Sequence, residues 1–286
     1  MRLLMFEVDG ERRLGALRPP SPNEVVDLAP VAHDVLALID AGEEGLDQAR
    51  RLVADPASPA HSLPDLRLLA PLDPPRGNII AIGRNYQKHA DETARGRPSE
   101  PPTVFTKAIT AVTGPYDDIA IDPAISDKID WEVELGVVIG RRGVNISRPH
   151  AMSHVFGYLA LNDVSARDIQ NGWGGQYFKG KSLDRTCPIG PWVVTADEVA
   201  DPQRLGLKLM VSGVVKQEGN TRDMIYPVDA LIEWVSKGMT LLPGAVIATG
   251  TPDGVGVART PPEFLKPGDV METAVEGIGV LRNRIV

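Results

Sequence analysis

The stretch DWEVELGVVIG, residues 130–140, decides how the rest of this sequence is interpreted. Successive side chains of a β-strand point to opposite faces, so one face here would be apolar: Trp131, Val133, Leu135, Val137 and Ile139. Glu132 and Glu134 would lie on the other face, about 7 Å apart. Carboxylates so close repel each other unless water or a cation lies between them, and Mg²⁺ favours such oxygens. The alternative is a half-buried strand with a solvated outer face.

Composition bounds the classes of protein that the chain can belong to. The 286 residues are 43% apolar and 24% charged, which is typical of one large globular domain or of a large and a small one. The net charge of −8 argues against a surface that binds nucleic acid non-specifically, so we expect no nucleic-acid partner. No apolar run reaches the roughly twenty residues of a membrane helix. The apolar stretch at the start of the sequence is too short for a signal peptide. The single cysteine, Cys187, excludes an internal disulfide framework and favours the cytoplasm.

Proline and glycine are frequent and aromatic residues are few, which favours many short strands joined by turns. Residues 1–70 form a predicted small accessory region with strands at 2–8, 13–18 and 24–28 and helices at 34–39 and 46–53. Residues 54–64 are the best candidate for a linker. The main domain is predicted to span residues 71–286.

In the main domain the apolar pattern predicts strands at 78–83, 104–107, 155–162 and 246–249, a hairpin over 205–217 and a helix over 227–237. The strand at 246–249 enters a glycine-rich turn, residues 250–256, whose backbone amides can approach an anion. This turn lacks the lysine of a P-loop. We therefore expect contact with a carboxylate there and no nucleotide.

Other candidate residues have a structural alternative each. His89 and Glu92 would share a helical face, where a carboxylate can orient a histidine as a general base, although a surface ion pair would look the same. Residues 96–102 are typical of a mobile lid. Asp163 follows the strand at 155–162, where Asp163 or Ser165 could simply cap a helix starting there.

Five motifs in order resemble the fumarylacetoacetate hydrolase family, from residue 78 to the C-terminus. They are GRNY with His89 and Glu92, WEVELG at 131–136, NDVSARDIQ at 162–170, KGKS at 179–182 and TGTPDGVG at 249–256. The resemblance implies an α+β, strand-rich fold, a mixed β-sandwich roll with few helices. It also implies a homodimer. The region before residue 78 is similar to the variable N-terminal extension of longer bacterial members.

The resemblance also assigns roles to residues of this chain. One Mg²⁺ or Mn²⁺ ion would be held by Glu132, Glu134 and Asp163. The catalytic residues would be His89 and Glu92 as a dyad in the lid and Lys181, which polarises the substrate. The substrate contacts would be Arg84, Arg167, Gln170 and Thr251.

The function that follows is metal-dependent hydrolysis of a C–C bond in a small 2,4-dioxo acid, such as an acylpyruvate or a 2,4-diketo-3-deoxy sugar acid. Negative charge would develop on the 2-oxo oxygen as an enolate, next to the metal and Lys181. Two alternatives use the same enolate, namely decarboxylation of oxaloacetate and isomerisation of a dienoic 2-oxo acid. A ureidoglycolate lyase and a non-catalytic binding protein are further alternatives.

Overall fold

The computed structural model describes residues 1–21, 23–93 and 101–286, and in this part of the chain the strands form three sheets. The strands of the first half are β1 (Arg2–Val8), β2 (Glu11–Leu17), β3 (Glu24–Asp27), β4 (Ala60–Ser62), β5 (Arg67–Leu69), β6 (Ile79–Gly83), β7 (Thr103–Lys107), β8 (Val112–Thr113), β9 (Ile129–Asp130) and β10 (Val133–Ile139). Those of the second half are β11 (Val155–Asn162), β12 (Ser165–Ala166), β13 (Cys187–Thr195), β14 (Gly206–Val211), β15 (Val214–Asn220), β16 (Val246–Ala248), β17 (Val270–Val275) and β18 (Gly279–Arg284). The helices are α1 (Val35–Asp40), α2 (Gly42–Ala54), α3 (Gln87–Glu92), α4 (Arg148–Ala151), α5 (Arg167–Gly172) and α6 (Val228–Ser236).

The largest sheet contains strands from both halves of the sequence. Its order is β4-β3-β2-β1-β13-β11-β10-β16-β6-β7, with β5 beside β1 and β8 beside β13. The pairs β16–β6 and β13–β8 are parallel, and the other pairs are antiparallel, so the sheet is mixed. The predicted strand-rich α+β class is confirmed.

Two apolar cores cover the two faces of this sheet. On one face Val133, Leu135 and Val137 of β10 pack with the four-stranded sheet β15-β14-β17-β18 and with α6. On the other face Val138 packs with β11, β1, α1 and α2. Strand β10 is therefore buried on both faces, and the half-buried strand that the alternation suggested is wrong.

The N-terminal region continues the same sheet, because Arg2 and Leu3 of β1 pair with Val194 and Val193 of β13. The linker predicted at residues 54–64 is wrong, since these residues contain β4 and a short 3₁₀ turn. The division at residue 70 stays a prediction about folding units. Residues 96–100 of the predicted lid lie outside the described residues.

No helix within residues 1–21, 23–93 and 101–286 is long and apolar enough to cross a membrane.

Candidate active site

Strand register brings the three acidic residues of the predicted metal site together. The antiparallel pairing of β10 with β11 sets Val133 opposite Asn162, so the next residue of each chain segment, Glu132 and Asp163, lies opposite the other. The backbone N–H of Asp163 donates to the carbonyl oxygen of Glu132 at 2.9 Å. One carboxylate oxygen each of Glu132, Glu134 and Asp163 lies within 4.8 Å of the others, and all three residues are buried.

Three buried cations surround these acids. The Nζ of Lys181 lies 2.6 Å from Oε2 of Glu132 and 2.7 Å from Oδ2 of Asp163. Arg167 reaches Oε1 of Glu132 at 2.7 Å. The Nζ of Lys107 lies 2.8 Å from Oδ1 of Asp163. Glu132 and Asp163 are therefore both paired with cations of the protein.

Glu134 has a different environment. Its Oε2 accepts a hydrogen bond from the backbone N–H of Gly250 at 2.8 Å. Burial, and then the charges of Asp163 and Glu132, raise the pKa of the Glu134 carboxyl well above its usual value. Glu132 is shifted the other way: burial opposes ionisation, but Lys181 and Arg167 together lower its pKa.

The donor set fits a hard divalent cation. Three carboxylates supply about half of an octahedral shell of oxygens, which leaves positions for water and for a chelating substrate. After burial, repulsion by Asp163 and Glu132 is the main cause of the raised pKa of Glu134, and a cation between the three carboxylates would relieve that repulsion. Mg²⁺ and Mn²⁺ both suit such ligands.

The predicted dyad lies on α3. The Nδ1 of His89 is 2.8 Å from Oε1 of Glu92, one helical turn away. An ionised carboxylate only accepts hydrogen bonds, so Nδ1 carries the proton and Nε2 is left as the basic atom. The second oxygen of Glu92 accepts from the backbone N–H of Gly254 at 2.8 Å.

The backbone amides of the glycine-rich turn donate to carboxylates of the protein itself, and contact of this turn with the carboxylate of a ligand stays a prediction. Its amides at Gly250, Gly254 and Gly256 donate to Glu134, Glu92 and Asp130, respectively. Gly250 and Gly254 have φ values of +97° and +102°, which side chains other than glycine rarely adopt. The turn therefore holds three acidic residues of the site in place.

Arg84 follows β6 in a turn with a φ of +56°. The turn is fixed by Asn85, whose amide donates to the carbonyl oxygens of Tyr226 and Thr249 at 3.0 and 2.7 Å. The guanidinium of Arg84 donates to the hydroxyl of Thr103 at 3.1 Å.

The remaining predicted substrate contacts are engaged within the protein. Arg167 donates to Asp130 at 2.7 Å and to Oε1 of Gln170 at 2.9 Å. The hydroxyl of Thr251 donates to the carbonyl oxygen of Val133 at 2.9 Å and accepts from Gln217 at 2.8 Å. A direct contact between this hydroxyl and a substrate stays a prediction.

Nine of the ten predicted site residues line one cavity of about 240 Å³. The tenth, Asp163, does not line the cavity but lies next to Lys181 and Glu132, which do. Phe105 and Tyr177 form an apolar wall with ring centroids 5.4 Å apart. A cavity of this size suits a small acid.

Sequence reasoning left a helix cap open as an alternative for Asp163, and it overlooked two residues of the site. Helix α5 begins at Arg167 after Ala166, so neither Asp163 nor Ser165 caps it, and Asp163 instead faces two lysines. Lys107 and Asp130 were missed. Asp130 is the first residue of the quoted stretch, and an acidic residue directly before the WEVE motif was the available signal.

The chain is similar to several known proteins. A family model described as fumarylacetoacetate hydrolase, C-terminal, matches residues 78–286. A mitochondrial oxaloacetate tautomerase of Bos taurus is 42% identical over 274 residues, which cover 96% of this chain and 83% of that protein. The oxaloacetate tautomerase YisK of Bacillus subtilis is 41% identical over 270 residues, covering 92% and 89% of the two chains.

A solved structure also matches over the full length. The fumarylacetoacetate hydrolase from Exiguobacterium antarcticum superposes with a TM-score of 0.87 at 37% identity, covering 100% of this chain and 99% of that one. Sequence, fold and the family model agree: the chain belongs to the fumarylacetoacetate hydrolase family.

Proposed function

We propose that the protein catalyses keto–enol tautomerisation of a small 2-oxo dicarboxylic acid, with oxaloacetate as the first candidate. The observation that carries this proposal is one cavity that holds a proton-transfer dyad, His89 and Glu92, and a buried acidic triad with its lysine. Two relatives above 40% identity are named oxaloacetate tautomerases, which supports the isomerase alternative over the hydrolase.

Tautomerisation moves one proton between C3 and the oxygen on C2, and no water is consumed. His89 would hold the proton on Nε2 while Glu92 stabilises the imidazolium through Nδ1. Burial disfavours the charged form of Lys181, but Asp163 and Glu132 outweigh it and raise its pKa. Lys181 is therefore an ammonium that stabilises negative charge on the C2 oxygen and does not act as a base.

A divalent cation bound by Glu132, Glu134 and Asp163 would polarise the 2-oxo group and make the C3 proton more acidic. The positive charge of Arg84 suits the distal carboxylate of a dicarboxylic substrate, because a guanidinium binds a carboxylate through two parallel hydrogen bonds. Phe105 and Tyr177 would limit the length of the chain between the two acid groups.

Hydrolysis of a 2,4-dioxo acid is the second candidate. A histidine oriented by a carboxylate is the arrangement that activates water, and the matching solved structure is named a hydrolase. The two functions differ in their products, since hydrolysis releases pyruvate or a relative and tautomerisation does not.

The test mixes enol oxaloacetate with the Mg²⁺-loaded and the EDTA-treated protein and follows the ultraviolet absorbance of the enol by stopped flow. Pyruvate is measured in the same samples, and acylpyruvates are assayed in parallel. The proposal expects fast, metal-dependent loss of the enol without pyruvate above the spontaneous background. If pyruvate forms from acylpyruvates and loss of the enol is not accelerated, the tautomerase proposal is wrong and the protein is a hydrolase.

A further inference from the structure

Lys107 is a fully buried lysine beside the site that the proposed function does not use. It is the last residue of β7, its side chain is 0% exposed, and its backbone is paired with Ile79 of β6. A lysine is rarely buried unless its charge is paired, so the contacts of its ammonium explain its position.

The ammonium group of Lys107 makes two hydrogen bonds and one ion pair. It donates to the carbonyl oxygens of Val164, at 3.2 Å, and of Lys181, and it forms an ion pair with Oδ1 of Asp163 at 2.8 Å. Lys107 is not among the residues that line the cavity, so any effect on the reaction passes through its neighbours.

The two oxygens of Asp163 are divided between two lysines. Lys107 holds Oδ1, while Oδ2 lies 2.7 Å from Nζ of Lys181 on the side of Glu132. The two ion pairs therefore restrict rotation of the carboxylate, with Oδ1 on the side of Lys107 and Oδ2 on the side of Lys181. The ammonium of Lys107 also donates to the carbonyl oxygen of Lys181, which links Lys107 to the 3₁₀ turn Lys179–Lys181. The next residue strengthens this tie, because the N–H of Ala108 donates to Oγ of Ser182 at 2.9 Å.

We propose that Lys107 is a positioning residue: it makes Asp163 a ligand through one oxygen and sets the reach of Lys181 into the cavity. This inference rests on the cation site and the lysine role of the proposed function. It does not depend on which 2-oxo acid is the substrate.

The experiment measures binding of Mn²⁺ to the metal-free protein by electron paramagnetic resonance, with the melting temperature as a check of folding. Lys107→Met should weaken Mn²⁺ binding about 10- to 100-fold, as is typical for loss of a partner that orients a metal ligand. It should also lower kcat more than it raises KM, because Lys181 loses its anchor. Lys216→Met is the matched control, since it removes a lysine paired with Glu263 outside the cavity, and it should bind Mn²⁺ as the wild type does.

A second pair of variants tests the route and guards against failure to fold. Removing one member of a buried ion pair is more damaging than replacing both. Asp163→Asn is therefore compared with the double variant Lys107→Met, Asp163→Asn. If Lys107 acts through Asp163, the second substitution changes Mn²⁺ affinity less than twofold.

Two results would overturn the inference: wild-type Mn²⁺ affinity in folded Lys107→Met, or a full further loss in the double variant. Because Mn²⁺ binding needs no substrate, absence of tautomerase activity would contradict the proposed function and leave this inference standing.

Discussion

The backbone N–H of Gly254 donates to Oε2 of Glu92 at 2.8 Å, so a glycine-rich turn far along the chain holds the helix that carries the proton-transfer dyad. The other oxygen of Glu92 orients His89. Because the neighbouring amide of Gly250 holds Glu134, one turn positions both the dyad and the acidic triad. The relative placement of base and cation site is thus set by backbone hydrogen bonds.

Glu92→Gln should lower kcat for the tautomerisation, because the amide can still accept from Gly254 but cannot stabilise the imidazolium of His89. We expect a loss of about 100-fold, within the usual range for general acid–base catalysis. Steady-state kinetics check this. Asp91→Asn is the control on the same helix, since the Asp91 side chain is exposed and accepts from Gln87, and its kcat should stay within twofold of the wild type. Equal effects of both substitutions would argue against the dyad.

Glu134 and Glu132 should affect the stability of the metal-free protein with opposite signs. The pKa of Glu134 is raised above its reference of 4.5, so ionised Glu134 costs stability as the pH rises above that value. The pKa of Glu132 is lowered, so its stabilisation is present above 4.5 and is lost as the pH falls.

Urea unfolding of EDTA-treated variants at pH 5 and pH 7 measures this difference. Glu134→Gln should gain stability relative to the wild type between these values, by at most about 1.4 kcal/mol per pH unit. Glu132→Gln should be destabilised at pH 7. Destabilisation of both variants by the same amount would mean that the acids are not in the electrostatic environments described.

Arg84→Met should raise KM for oxaloacetate about tenfold, because a charge-assisted hydrogen bond contributes about 1.5 kcal/mol or more. A 2-oxo acid with a single carboxylate should be turned over with unchanged KM. Thr103→Val removes the hydroxyl that accepts from Arg84 and should have a smaller effect. A similar rise in KM for both classes of substrate would remove Arg84 from the distal carboxylate.

Cys187 should react with thiol reagents only after unfolding. It is fully buried in β13, and burial raises the pKa of its thiol to about 12. The thiolate is the reactive form, so native protein at neutral pH should react far more slowly with Ellman's reagent than protein in guanidinium chloride. Rapid reaction of the native protein would show that β13 opens readily.

Much of the fold could be predicted because local pattern and register agree. The predicted strand at 155–162 matches β11 at both ends, and β1, β2 and α6 differ from their predictions by at most two residues at either end. These segments have a clear apolar period or a turn signal at their boundaries. The prediction of a linker at 54–64 is wrong because Ala60, His61 and Ser62 pair with β3, and pairing between distant strands leaves no local signal.

In the site, spacing along the chain showed the acids but not their partners. The pattern of Glu132 and Glu134 indicated an exposed face, whereas tertiary packing buries both and neutralises Glu132 with Lys181 and Arg167. Lys107 ends a strand like many surface lysines, and only the fold brings Asp163 to it. Which charges meet in a core is decided by contacts between elements far apart in sequence.

The most direct test of the account titrates Mn²⁺ into the EDTA-treated protein and records bound ion and enol-to-keto turnover in the same samples. The account predicts that turnover of oxaloacetate rises in proportion to bound Mn²⁺ and levels off at one ion per chain. Full turnover by the metal-free protein would contradict a catalytic cation at Glu132, Glu134 and Asp163.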